Sequence, residues 1–303
     1  MSTLVYYIEI LTAGYVAVTL VLYMLSLRIP AAGFFARLLV SYVALLICAS
    51  YGVFVSIFLR LFGQARSSQW ATARAFKYVM WYTTGVAFTV EDPHNYLGTT
   101  RPAVFIAPHQ TELDVLMLGC VFPKHCAVTA KKSLKSVPFL GWFMALSGTV
   151  FIDRANSTSA RHAMSGAAEE MQRERQSVFM FPEGTRSYAK EPMLLPFKKG
   201  AFHLAVQAGV PIVPVVVGNY SDILYVQAKK FISGSIPVKV LKPIETKNLT
   251  PADVEDLTRD TREAMLREMV NLTSKARGQP IAMPTQSNVD GVVKASGTQA
   301  TAS

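Results

Sequence analysis

A chain of 303 residues that is 51% hydrophobic, with a mean hydropathy of +0.28, is too apolar for an ordinary soluble domain and points to membrane association. Its 30 Lys and Arg outnumber 20 Asp and Glu, a net charge of +10 that suits nucleic acid, anionic lipid or phosphorylated substrates. No helix-turn-helix, RNP-like or zinc-finger spacing appears, which disfavours nucleic acid, and three cysteines without a CxxC disfavour disulfides and a structural zinc.

Residues 10–27 and 38–59 carry no charge, and each run is long enough to cross about 30 Å of hydrocarbon. A cleaved signal peptide fits poorly, because no Lys or Arg precedes the first run and the second follows too closely. Either both runs span as a hairpin, or the first spans and residues 38–88 lie in one leaflet as a helix pair. Arg28, Arg37, Arg60, Arg66, Arg74 and Lys77 all follow the first run, so the positive-inside rule favours one span with the remainder cytosolic. Residues 67–88 mix Trp70, Phe76, Tyr78, Trp81 and Tyr82 with Arg74 and Lys77, the composition of an interfacial helix. A helix packed on the following domain is the alternative. Residues 1–90 are therefore read as membrane-embedded.

Polar residues 91–101 lead into a domain expected to run to residue 276. Short apolar runs at 103–107, 126–130, 149–152, 178–181, 212–217 and 238–241 predict strands. Between them, residues 115–122, the stretch from Ala160, and 201–208 (stopped by Gly209) predict helices. Thr250, Pro251 and Asp253 announce a last helix ending near Ser274. The alternation implies an α/β fold, a mostly parallel sheet flanked by helices that binds ligands beyond the carboxyl ends of its strands. From residue 277 to 303, Ser, Thr, Gln, Gly and Ala dominate, and a disordered tail is expected.

Four stretches carry chemistry. In the first, His109 follows a strand and Asp114 opens a helix. On a regular helix such positions lie about 140° apart, but a turn feeding a helix can join them. The carboxylate then fixes the tautomer of an imidazole able to take a proton from an alcohol. Taken alone, the pair reads first as a loop His beside an unrelated helix-capping Asp, and the rest of the chain has to overturn that. The other stretches are GTVFIDR, ending at Arg154; FPEGTR, with Glu183, Gly184, Thr185 and Arg186; and VPIVP, with Pro211 and Pro214. His109, Arg154 and Glu183 each follow a strand, so one sheet edge can present all three.

In this order and spacing the four stretches resemble the glycerolipid acyltransferase family, over residues 102–241, and most closely its 1-acylglycerol-3-phosphate acyltransferase branch. The run from Lys131 to Arg154 is similar to the fungal members. The resemblance implies that His109 is the general base and Asp114 its orienting carboxylate. It ties Glu183, Gly184, Thr185 and Arg186, together with Arg154 and Lys131, to the phosphate of the acceptor. Pro211 and Pro214 are tied to the acyl donor or to local structure. The implied substrates are lysophosphatidic acid and acyl-CoA, without metal or cofactor. The implied setting is the endoplasmic reticulum membrane, with the domain facing the cytosol; a lipid droplet is the alternative. Pro108 and Thr111 stand where the family usually has Asn and Ser, neither a position that moves the proton.

The chemistry agrees with these roles. A thioester is already activated, so transfer to an alcohol needs a base, an orienter for it and donors for the oxyanion. A planar Arg fork matches a phosphate monoester in two hydrogen bonds. The rivals are the same chemistry on another lysophospholipid, glycerol 3-phosphate or dihydroxyacetone phosphate, and a non-catalytic membrane protein that binds phosphatidic acid. A serine hydrolase lacks its G-x-S-x-G elbow here, and a nucleotide site its glycine loops. Glu183 can equally be structural. Lys198 and Lys199 read as phosphate contacts or a solvated loop, while Phe139, Trp142 and Phe143 beside Lys131, Lys132 and Lys135 read as core aromatics rather than a docking patch.

Overall fold

Uninterrupted apolar sequence forms two long helices, α1 (Thr3–Leu25) and α2 (Pro30–Leu61), in a computed structural model that describes residues 3–153 and 156–284. Pro30 stands in the first turn of α2, where its missing N–H leaves no bond unmade. Both helices are long and apolar enough to cross a membrane, and only 6% of the apolar window of α1 is buried in the protein, so its surface is free for lipid. Tyr15 donates to the Leu39 carbonyl at 2.7 Å and Tyr23 to that of Thr83 at 2.7 Å, which folds α1 back along its neighbours.

Helix α2, about 48 Å long at 1.5 Å per residue, is fastened to the domain at both ends. Arg37 donates to the carbonyls of Thr84 (3.1 Å) and Phe231 (3.2 Å), and Arg60 to that of Leu146 (3.2 Å). Helix α3 (Ser68–Thr84) buries Phe76 and Met80 and leaves Tyr78, Trp81 and Tyr82 exposed. It ends at Thr84, four residues short of the expected limit, and after Gly85 the chain turns directly into strand β1 (Val86–Glu91), where the composition predicts more helix.

The remaining elements alternate: α4 (Tyr96–Thr99), β2 (Val104–Ile106), α5 (Asp114–Val121), β3 (Cys126–Lys131), α6 (Leu140–Leu146), β4 (Val150–Ile152), α7 (Ser157–Glu174), β5 (Ser177–Met180), α8 (Gly200–Ala208), β6 (Ile212–Val217), β7 (Leu224–Tyr225), β8 (Lys230–Phe231), β9 (Gly234–Val240) and α9 (Val254–Arg277). Strands β7 and β8 form a small hairpin of their own. The other seven make one sheet in the order β1-β9-β6-β2-β5-β3-β4, parallel throughout except where β6 meets β9. The expected mostly parallel α/β sheet is thus present.

Its central strands are buried on both faces, which is why they read as continuous apolar runs. Along β2, Phe105 points into one core with Phe179, Val213, Leu116 and Met117, while Val104 and Ile106 point into the other with Met171, Phe202 and Met265. Helices α2, α3 and α5 cover the first face, and α7, α8 and α9 the second. The expected capping box opens the last helix, Thr250 N–H donating to Asp253 at 2.7 Å. That helix extends past Ser274 to Arg277, where Gly278 closes it. Residues 285–303 of the expected tail, and Arg154, lie outside the described residues.

The α6 aromatics divide, against the expectation of core packing for all three. Phe143 packs over Gly52 of α2, whereas Phe139 and Trp142 are 40% and 54% exposed. Helices α3 and α5 cross as closely at Gly119, where a Cβ would stand 2.8 Å from the Ala73 carbonyl oxygen. Gly119→Val is expected to destabilise the protein by about 1–3 kcal/mol, read as a lower melting temperature in detergent. An unchanged melt would mean the crossing is looser than it stands.

Candidate active site

Strand β2 ends at Ile106, and the chain passes through Pro108 into a turn that delivers Asp114 to the first residue of α5. The turn is wound around that carboxylate. Oδ2 accepts the backbone N–H groups of Gln110 (2.7 Å) and Thr111 (3.2 Å) and lies 2.7 Å from His109 Nδ1. Oδ1 accepts the Tyr220 hydroxyl at 2.7 Å. Asp114 is 1% exposed, so these four donors replace the water that a buried carboxylate loses. The position at a helix N-terminus also favours its charge. With its proton held on Nδ1, the imidazole presents Nε2 as an acceptor. The ring stacks on Phe181, centroids 4.4 Å apart, and its side chain is 19% exposed. The turn reading is the one realised.

Glu183 stands behind the His109 main chain rather than before its ring. Its Oε1 accepts the His109 N–H at 2.7 Å and its Oε2 the Leu195 N–H at 2.8 Å, with the residue 3% exposed. Burial pushes its pKa up from 4.5 to about 8, while the two N–H donors and Arg262 pull it back. The arrangement makes Glu183 a clamp between two loops. Gly184 holds a left-handed φ of +70°, closing the turn back to the Phe181 carbonyl at 3.1 Å. The Lys198 side chain fills the space that a Cβ at Gly184 would need, and Lys199 pairs with Glu255.

Thr185 and Arg186 reach the cavity that His109 lines, and Lys131, at the carboxyl end of β3, lines it as well. Arg186 Nη1 donates to Glu112 at 3.0 Å, Tyr188 donates to the same oxygen at 2.6 Å, and Arg186 Nε–H is buried without a partner. The structure therefore brings His109, Lys131, Thr185 and Arg186 to one chamber, with Asp114 buried behind His109. Pro211 and Pro214 do not line it. They lie at the start of β6 and within it, their carbonyls accepting from Val104 and Leu241 at 2.9 Å.

The chamber has a volume of about 910 Å³ and two kinds of wall. One is the polar set just described. The other is apolar, with Leu38 and Leu45 of α2, Phe76 and Met80 of α3, and Phe143 and Met144 of α6. Such a space can take a long hydrocarbon chain while an imidazole and two cationic side chains face its polar end groups.

Tyr220 and Glu112 escaped the sequence reading. Tyr220 follows the carboxyl end of β6, the position where a parallel sheet places its ligands, and that was the available signal. Glu112 lies inside the His109–Asp114 turn, and nothing local marks it as the partner of Arg186.

A family model described as acyltransferase matches residues 87–218. The chain is 45% identical over 233 residues to the 1-acyl-sn-glycerol-3-phosphate acyltransferase of Saccharomyces cerevisiae, spanning 77% of this chain and 76% of that one. It is 42% identical over 200 residues to the human 1-acyl-sn-glycerol-3-phosphate acyltransferase beta, spanning 66% and 69% respectively. The crystal structure of the 1-acyl-sn-glycerophosphate (LPA) acyltransferase PlsC from Thermotoga maritima shares the fold, with a TM-score of 0.60 at 23% identity over 87% of this chain and 98% of that one.

Proposed function

Because the chain belongs to the acyltransferase family, we propose that it transfers an acyl group from acyl-CoA to the sn-2 hydroxyl of 1-acylglycerol 3-phosphate, giving phosphatidic acid for phospholipid and triacylglycerol synthesis. The observation that carries the reading is the His109–Asp114 pair, 2.7 Å apart, opening on a chamber shared with Arg186 and Lys131. His109 Nε2 takes the hydroxyl proton as the alcohol oxygen attacks the thioester carbonyl carbon. The tetrahedral intermediate collapses, the C–S bond breaks, and the imidazolium returns the proton to the leaving thiolate. Asp114 holds the imidazole and stabilises its charged form. Arg186 and Lys131 neutralise the acceptor phosphate, which competes with Glu112 for the guanidinium. Neither metal nor cofactor is required, because the donor is already activated. The apolar walls hold hydrocarbon and keep out the water that would hydrolyse the thioester.

We place α1 across the membrane and α2 along the near leaflet, since Arg37 and Arg60 bind the domain at both ends of α2. The domain then faces the cytosol, on the endoplasmic reticulum, with exposed Trp81 and Tyr82 at the headgroup level.

The test is an acceptor panel on the purified protein with labelled acyl-CoA and product regiochemistry. Lysophosphatidic acid is expected to give phosphatidic acid acylated at sn-2. No product from it, or a better product from another head group, overturns the assignment. Within this panel Arg186→Ala is expected to raise the acceptor KM roughly 10- to 30-fold, and Arg186→Lys to restore little, because Lys lacks the planar fork. An unchanged KM would remove Arg186 from the phosphate site.

A further inference from the structure

Three of the four donors on Asp114 come from its own turn, and the fourth arrives from the loop after β6, the strand that pairs with β2. The Tyr220 hydroxyl donates to Oδ1 at 2.7 Å and accepts the Thr111 N–H at 3.0 Å. Tyr220 is 2% exposed, its ring edge-on to Phe88 of β1 at 6.3 Å. Its segment is fixed on both sides: Asn219 N–H donates to Thr273 at 2.8 Å, and the Ser221 hydroxyl to the Lys190 carbonyl at 2.6 Å. Arg277, at the end of α9, donates to Asn219 (3.2 Å) and Ser221 (3.1 Å) while paired with Glu191 (2.6 Å) and Asp222 (2.7 Å). So much fastening holds the phenol where Asp114 needs it.

We propose that Tyr220 is a positioning residue for the base, its hydroxyl locking the Asp114 carboxylate in plane and tempering the hold of that carboxylate on His109. This rests on the acyl-transfer reading for its catalytic meaning, but not for its geometry. A hydrogen bond to Oδ1 draws negative charge away from Oδ2, the oxygen that faces Nδ1. Burial and the neighbouring Asp114 charge both push the Tyr220 hydroxyl well above its ordinary value, so it stays a donor throughout the working pH range. Removing the hydroxyl frees Oδ1, concentrates charge toward the imidazole and favours the imidazolium. A phenol that merely satisfied its own burial would have no such effect.

The other titratable groups around His109 are Glu183 behind its backbone, Glu112, Arg186, Tyr188 and Lys131 at the chamber, Tyr225 from β7 and Tyr42 from α2. Tyr220→Phe alters none of these directly. The variant is expected to move the acid limb of the kcat/KM profile upward by about half a pH unit and to lower kcat about threefold, with the acceptor KM unchanged. The titration midpoint of the His109 imidazole, followed by NMR on histidine-labelled protein in detergent, should move the same way. Ser221→Ala, which loosens the same segment without touching Asp114, should leave both midpoints in place. If limb and imidazole titration in Tyr220→Phe coincide with wild type, the role is refuted, whether activity is kept or lost at every pH. A wild type that transfers no acyl group would sink the proposed function instead, and the imidazole titration would still decide on Tyr220.

Discussion

Replacing His109 by alanine is expected to lower acyl transfer by about 10²–10⁴-fold, the range that a positioned general base contributes. The fold should survive the change. The side chain gives up its stack on Phe181, but the His109 N–H still meets Glu183 and its carbonyl still accepts Ser187 N–H at 2.9 Å, because those bonds are made by the backbone. Asp114→Asn should match it in kind, since an amide nitrogen facing Nδ1 favours the wrong tautomer. Asp114→Ala is a poorer probe, because it strips the acceptor from two backbone N–H groups and a buried phenol. The measurement is turnover of labelled acyl-CoA with lysophosphatidic acid in membranes of matched protein content. Near-wild-type turnover in His109→Ala would end the mechanism.

The second large effect belongs to Glu183, and it falls on the fold before it reaches the chemistry. Glu183→Ala leaves the His109 and Leu195 N–H groups buried without acceptors, an expected loss of about 2–5 kcal/mol. Activity should fall with it, as the main chain that carries the base is no longer clamped. The pH dependence has a definite sign. The unfolded chain releases this proton near 4.5 and the folded protein near about 8, so the contribution is complete below 4.5, declines as pH rises and is lost above about 8. Thermal unfolding in detergent from about pH 5 to about pH 8 should therefore show wild type losing stability. Glu183→Gln, lower at the start because one amide oxygen meets two donors, should lack this decline. Parallel slopes in the two proteins would remove Glu183 as its source.

What the sequence disclosed and what it hid follow from the range of each interaction. Strands such as Val104–Ile106 and Ile212–Val217 were legible because burial on both faces writes an unbroken apolar run. The His109–Asp114 pairing was legible because five positions and one turn separate the two. Tyr220 was not, since 106 positions lie between it and Asp114. The clamp at Glu183 acts across 74 positions on a backbone N–H, a partner that no side-chain motif records. Strand β1 was lost for another reason: VAFTVE continues the mixed aromatic composition of α3, and only pairing with β9 near the far end of the chain makes it a strand. The exposure of Phe139 and Trp142 could not be read either, because Phe143, next to Trp142 in the chain, is packed against Gly52 and all three look alike in one dimension.

The fastening of α2 has a practical outcome for anyone seeking a soluble version of the protein. Trimming the chain just before Val86 keeps every strand of the sheet but takes Leu38, Leu45, Phe76 and Met80 with the discarded piece. The remainder would be an unroofed trough in which the proposed thioester meets bulk water and is spent on hydrolysis. The proposed anchor and the seal are a single device here, so solubility won by truncation would be won at the expense of synthesis.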